Sequence, residues 1–232
     1  MNGRMAGILV LVAAVAGCAT AGVAGSGGSP EIGRPPATPD APPPATDPDA
    51  RPPAEFPFPL EGGCGLASRD LRPRYILPFT VGSSYELMQG NCGPHSHAGR
   101  FNFSFDFRMP MRTPIIATRD GVVSTVRESN ADGTDRVGDE NYVIIDHGDG
   151  EYSRYIHLTR DGAFVSKGDR VARGDTIALS GDSGRSAFPH LHFDVVDGCS
   201  DGVCWTIPAA FLNSDPPIPT VRRLYVARPF PF

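Results

Sequence analysis

Residues 61–232 predict an all-β domain, on three observations. The apolar segments are short and rich in valine and isoleucine, Gly/Asp turns separate them, and no sustained helical period runs through the stretch. In chain order the segments are 115–117, 122–126, 142–146, 152–158, 176–179, 191–196 and 224–227. Gly148-Asp149-Gly150 between two of them reads as a hairpin turn. The stretch is long enough for one domain with a full core and too short for two ordinary ones.

What precedes it has a different character. Arg4 is followed by an unbroken small and apolar run and then by Val15-Ala16-Gly17-Cys18, the layout of a secretory signal peptide. Its end resembles a bacterial lipobox, so residues 1–17 are read as a lipoprotein-type signal peptide and Cys18 as the lipidated first residue. The competing reading is a plain leader cleaved near Ala19 or Ala21. Residues 18–60 are Gly/Ser-rich and then Pro-rich, with half of the chain's 24 prolines, and read as a linker. Its thirty or so proline-rich residues, extended as polyproline II, would reach roughly 90 Å from a membrane.

Setting Cys18 aside leaves Cys64, Cys92, Cys199 and Cys204, an even number in an exported chain, which favours disulfides. Three pairings are possible. The short loop between Cys199 and Cys204 favours joining those two, which leaves Cys64 for Cys92. A net charge of −5 and the absence of a basic cluster argue against nucleic acid as a partner. The chain is read as a monomer.

The chemistry lies in a window that holds all six histidines, from His95 to His192. On an extended strand, residues two apart share a face, so His190, His192 and Asp194 point one way and Leu191, Phe193 and Val195 the other. A second such pattern is Phe101-Asn102-Phe103-Ser104-Phe105-Asp106-Phe107: four phenylalanines alternate onto one face, with Asn102, Ser104 and Asp106 opposite. Catalytic zinc commonly takes three protein N/O ligands and keeps a fourth position for water. One histidine near His97, Asp106 and one histidine of the His190/His192 pair would complete that set, and spacing alone does not rank the pair.

These residues resemble the lysostaphin-type (LytM-like) zinc metallopeptidases of bacterial cell walls. The resemblance rests on ordered blocks: Ser96-His97-Ala98-Gly99 with Phe105-Asp106-Phe107, Thr113-Pro114-Ile115-Ile116-Ala117 with Asp120-Gly121-Val122-Val123, Tyr155-Ile156-His157-Leu158, Val165-Ser166-Lys167-Gly168-Asp169, and Pro189-His190-Leu191-His192-Phe193. It implies a single, mainly antiparallel β domain with a narrow zinc-containing groove. It implies His97, Asp106 and His192 as zinc ligands and His157 and His190 as catalytic histidines beside them. The implied activity is zinc-dependent endopeptidase cleavage of peptide stems or cross-links of peptidoglycan; the alternative is a non-catalytic module of the same fold that activates a cell-wall amidase. With lipidated Cys18, the expected location is the cell envelope, anchored to a membrane and facing the periplasm. Ala19 after the cysteine favours the outer membrane in a Gram-negative host.

Some assignments stay open at this level. His95 competes with His97, His147 reads as a turn residue, Tyr155 as core, and Asp194 either as a partner of a ligand imidazole or as a solvated carboxylate. Two departures from the family pattern are the nine-residue interval from His97 to Asp106 and Arg112, which stands where glycine is usual before Thr-Pro.

Overall fold

In a computed structural model, residues 71–200 and 203–230 are described. The leader 1–17, Cys18, the linker 18–60 and Cys64 lie outside the described residues. Among those that are described, the chain forms twelve strands and one 3-10 turn. No helix there is long and apolar enough to cross a membrane. The strands are β1 (Ser84–Gln89), β2 (Ser104–Arg108), β3 (Pro114–Ile116), β4 (Gly121–Arg127), β5 (Tyr142–Asp146), β6 (Glu151–Ile156), β7 (Leu158–Ala163), β8 (Arg170–Val171), β9 (Thr176–Ser180), β10 (His190–Ser200), β11 (Val203–Ile207) and β12 (Arg223–Val226). The all-β expectation holds. Nine strands make one sheet in the order β12-β1-β2-β10-β6-β5-β4-β8, with β11 also paired to β10; β3-β9-β7 make a second. All of these pairings are antiparallel.

The long β10 organises the large sheet because it is paired on both edges. β2 and then β11 follow one edge and β6 the other. Its apolar face buries Leu191, Phe193 and Val195 completely, against Phe105 and Phe107 of β2, Tyr155 of β6 and Ile177 and Ala178 of the small sheet. Burying a side chain of this size contributes about 1.5–3 kcal/mol each, which fixes the register of β10 firmly. A slip of one residue would turn the histidines into the core. The register that results sets His192 opposite Asp106 on β2 and opposite Ile156 on β6, and His190 opposite Arg108.

Two sequence expectations need correction. The alternation from Phe101 to Phe107 is not one strand: Gly99–Phe101 is a 3-10 turn, and β2 begins at Ser104. Gly99 has φ +61°, the Ser104 hydroxyl donates to the Phe101 carbonyl at 2.9 Å, and the Phe103 amide donates to Thr206 Oγ1 at 2.9 Å. These contacts curl the first half of the run, so only Phe105 and Phe107 join the core. Likewise 152–158 divides. β6 ends at Ile156, His157 takes φ +64°, and Leu158 pairs with Ser180 in the small sheet. The crossing is clamped by Asn141 and Ser183. Asn141 Nδ2 and the Ser183 hydroxyl both donate to the Leu158 carbonyl, and the Asn141 amide donates to Ser183 Oγ.

Strands β1, β8 and β11, and β7 beyond Leu158, were not expected from the sequence. Cys92 and Cys204 are each disulfide-bonded, and Cys199 faces Cys204 in the β10/β11 register. Gly181, which follows β9, lies so close to Thr159 that a Cβ would sit 2.2 Å from its backbone nitrogen. No larger residue fits there without moving the loop that leads to His190.

Candidate metal centre

Asp106 and His192 meet because β2 and β10 are paired at those residues; His97 arrives from the loop after β1. One nitrogen or oxygen from each of the three lies within 4.8 Å of the others, and all three residues are buried. Of the two competing histidines, His97 enters the cluster while His95 is exposed. The loop is fastened by Gln89 at the end of β1. Its Oε1 accepts the His95 and Ser96 amides at 3.0 and 3.3 Å, and its Nε2 donates to Ser96 Oγ at 2.7 Å and Asp106 Oδ2 at 3.0 Å. One amide side chain thus ties the segment carrying His97 to the carboxylate it must face.

Tautomers follow from the partners. His97 Nδ1 donates to the Gly90 carbonyl at 2.8 Å, so Nε2 keeps a lone pair. That Nε2 lies 3.1 Å from Asp106 Oδ2 without hydrogen-bonding geometry and is a buried nitrogen with no partner. A lone pair facing a carboxylate oxygen in a buried space favours a cation between them, a proton or a metal ion. His192 has carboxylates on both nitrogens, Asp106 Oδ1 at 2.9 Å from Nδ1 and Asp194 Oδ2 at 3.0 Å from Nε2. Asp194 is fully buried rather than solvated and is gripped by Arg154 through Nε at 2.6 Å and Nη2 at 2.7 Å. This two-histidine, one-carboxylate donor set, with an outer carboxylate on one imidazole, fits Zn2+.

His157 and His190 stand beside the cluster, their ring centroids 4.6 Å apart and His157 6.1 Å from His192. Both are anchored through Nδ1 on backbone carbonyls, His157 on Ser183 at 2.7 Å and His190 on Phe188 at 2.9 Å. Their Nε2 atoms are therefore the unprotonated ones in the neutral rings, and that of His190 lies 3.9 Å from Asp106 Oδ1. Burial, then the neighbouring His190 and His192, pushes His157 down to about 3; burial also lowers His190. For His192 burial acts the same way, but the carboxylates of Asp106 and Asp194 outweigh it and raise the group to about 9. Asp106 and Asp194 show the complement: burial disfavours their charge, yet His192 and His97 hold Asp106 well below the carboxylate range, and Arg154 with His192 brings Asp194 to about 2.

All five expected residues are thus brought together. His147 sits in the turn after β5, bonded to the Asp120 carbonyl and Ser153 Oγ and outside the cluster, and Tyr155 is core, bonded to Thr118. Gln89, Arg154, Ser183 and Phe101 are parts of the site that sequence reasoning did not find.

The fold and the donor set define a candidate metal centre of two histidines and one carboxylate on an antiparallel sheet. Residues 100–201 match the family model described as Peptidase family M23. Over those residues the chain is similar to the M23 peptidases, in line with the lysostaphin-type resemblance of its motifs. It is similar to the peptidoglycan DD-endopeptidases ShyA and ShyB of Vibrio cholerae. With ShyA it shares 42% identity over 91 residues, 39% of this chain and 19% of that one. With ShyB it shares 42% over 123 residues, 51% of this chain and 27% of that one. The chain therefore spans well under two thirds of the length of these relatives. Among solved structures it is similar to a zinc containing peptidase from Vibrio cholerae, at 30% identity over 58% of this chain and 37% of that one, with a TM-score of 0.37.

Proposed function

We propose that this domain is a zinc-dependent endopeptidase that hydrolyses peptide stems or cross-links of bacterial peptidoglycan. His97, Asp106 and His192 hold the zinc, and His157 and His190 move protons. The observation that carries the reading is the buried, unpartnered Nε2 of His97 aimed at the Asp106 carboxylate. The similarity to DD-endopeptidases supports the substrate class. Zinc bound there supplies a Lewis acid for the carbonyl and makes water acidic enough to yield hydroxide near neutrality.

The rest is work for the chain's own groups. His157 and His190 present Nε2 towards the cluster in the neutral form, so either can accept a proton there, and a proton so taken can pass to the leaving amine. Their Nδ1 atoms are occupied on carbonyls, which fixes both rings against rotation. Asp194 and Arg154 hold the His192 ring, and Gln89 holds Asp106.

The composition of the leader and linker supports a location outside the cytoplasm on a lipid anchor at Cys18, with the proline-rich segment giving reach into the wall. Metal analysis of the purified chain together with muropeptide release from isolated peptidoglycan tests the activity. Stoichiometric zinc with release is the expected result; stoichiometric zinc with no release overturns the enzyme reading and leaves the amidase-activating module. Membrane fractionation of Cys18→Ser tests the anchor, which is refuted if that mature protein stays in the lipid fraction.

A further inference from the structure

The cluster is flanked by two phenylalanines that each carry an arginine. On one flank Phe101 stands edge-on to His192 with centroids 6.1 Å apart, and Arg100 Cζ lies 4.8 Å from the Phe101 centroid. On the other, Phe188 lies 5.6 Å from His190, and Arg108 Cζ lies 5.0 Å from the Phe188 centroid. Arg108 follows Asp106 by two residues on β2, so both side chains leave the same face of the sheet, and it is opposite His190 in register. In a chain of net charge −5, two exposed cations placed this way run against the average.

Neither guanidinium is taken up by the protein. Among the described residues Arg100 meets no carboxylate. Arg108 meets Glu86 only through Nε, at 3.4 Å, in a pair exposed by 58% and 42%, which water screens strongly. Arg154, by contrast, is saturated by Asp194. A guanidinium lying over a ring is held flat while its N–H edges remain available, and those edges match a carboxylate.

We propose that Arg100 and Arg108 are specificity-determining residues that each take a free carboxylate of the peptide substrate, one on either side of the scissile amide. The proposal rests on the endopeptidase reading and sharpens it: the preferred substrate is a peptide bearing free carboxylates on both sides of the bond cut, with Phe101 and Phe188 as apolar walls.

The test compares two synthetic cross-linked stem-peptide dimers, one with its carboxylates free and one with them amidated, on the zinc-loaded full chain. The expected preference for the free form is about tenfold or more in kcat/KM. It should fall about fivefold in Arg100→Ala and in Arg108→Ala, mainly through KM. Lysine at either position should restore part of it, and added salt should shrink it. Zinc content and melting temperature of the variants should match the parent. An unchanged ratio of the two substrates in both alanine variants overturns the proposal. If neither dimer is cut, the endopeptidase reading fails, and equilibrium binding of the same two dimers still decides this one: equal affinity for both, or no loss in the variants, refutes it.

Discussion

His192 and His157 are both buried imidazoles in one site, yet their proton affinities are driven in opposite directions, to about 9 and about 3. Burial lowers both. What differs is the partner: His192 lies between two carboxylates, whereas His157 has the Ser183 carbonyl on Nδ1 and other histidines nearby. The charge of the group opposite the ring, rather than depth, therefore divides the site into a half suited to a cation and a half whose imidazoles are held neutral.

Breaking the cation-binding half should have the largest effect. Asp106→Ala removes the oxygen atoms that His97 and His192 both face, and the protein should retain no zinc after dialysis, with muropeptide release at background. Full zinc by atomic emission would show that the charge contrast does not mark the metal half. In the other half, His157→Ala should keep full zinc and lose about 10²-fold or more in release rate, the scale on which a positioned acid or base contributes. Zinc loss in that variant would merge the two halves into one.

The comparison is sharpened by converting one environment towards the other. Asp194→Asn exchanges the outer carboxylate of His192 for an amide, and zinc affinity by chelator competition should weaken about 10- to 100-fold while the bound form remains attainable at excess metal. An affinity unchanged within twofold would make Asp194 a partner of Arg154 alone. The smallest effect concerns backbone. Arg112 and His157 both have left-handed φ values, +62° and +64°, but Arg112 is exposed. In Arg112→Gly, relief of about 1–2 kcal/mol of steric strain is offset by about 0.4–1 kcal/mol of added freedom in the unfolded chain. Thermal unfolding should therefore rise by no more than about 6 °C.

The site was legible because its residues sit on patterns with a physical cause. Leu191, Phe193 and Val195 had to be buried together, which sent His190, His192 and Asp194 to the opposite face. Arg112 at a position usual for glycine also fits its left-handed φ. The break at His157 was hidden because Tyr155-Ile156-His157-Leu158 keeps the aromatic and branched composition of a strand, and composition does not report a single left-handed residue. Phe101–Phe107 misled for a related reason: a positive φ at Gly99 and a hydroxyl from Ser104 outweigh periodicity. Gln89 and Arg154 act on partners 17 and 40 residues away, Asp106 and Asp194, and no local pattern encodes that.

His157 is at once the residue at which the chain leaves the large sheet for the small one and the bearer of a neutral ring beside the cluster. Loss of catalysis and loss of architecture at this position therefore need not coincide. Asparagine or glycine tolerates the left-handed backbone, so either could replace the imidazole while leaving both sheets in place. Valine or isoleucine would oppose the crossing itself. A descendant of this domain could thus lose the imidazole and keep the scaffold in a single step at position 157, but only through the narrow set of residues that accept its turn.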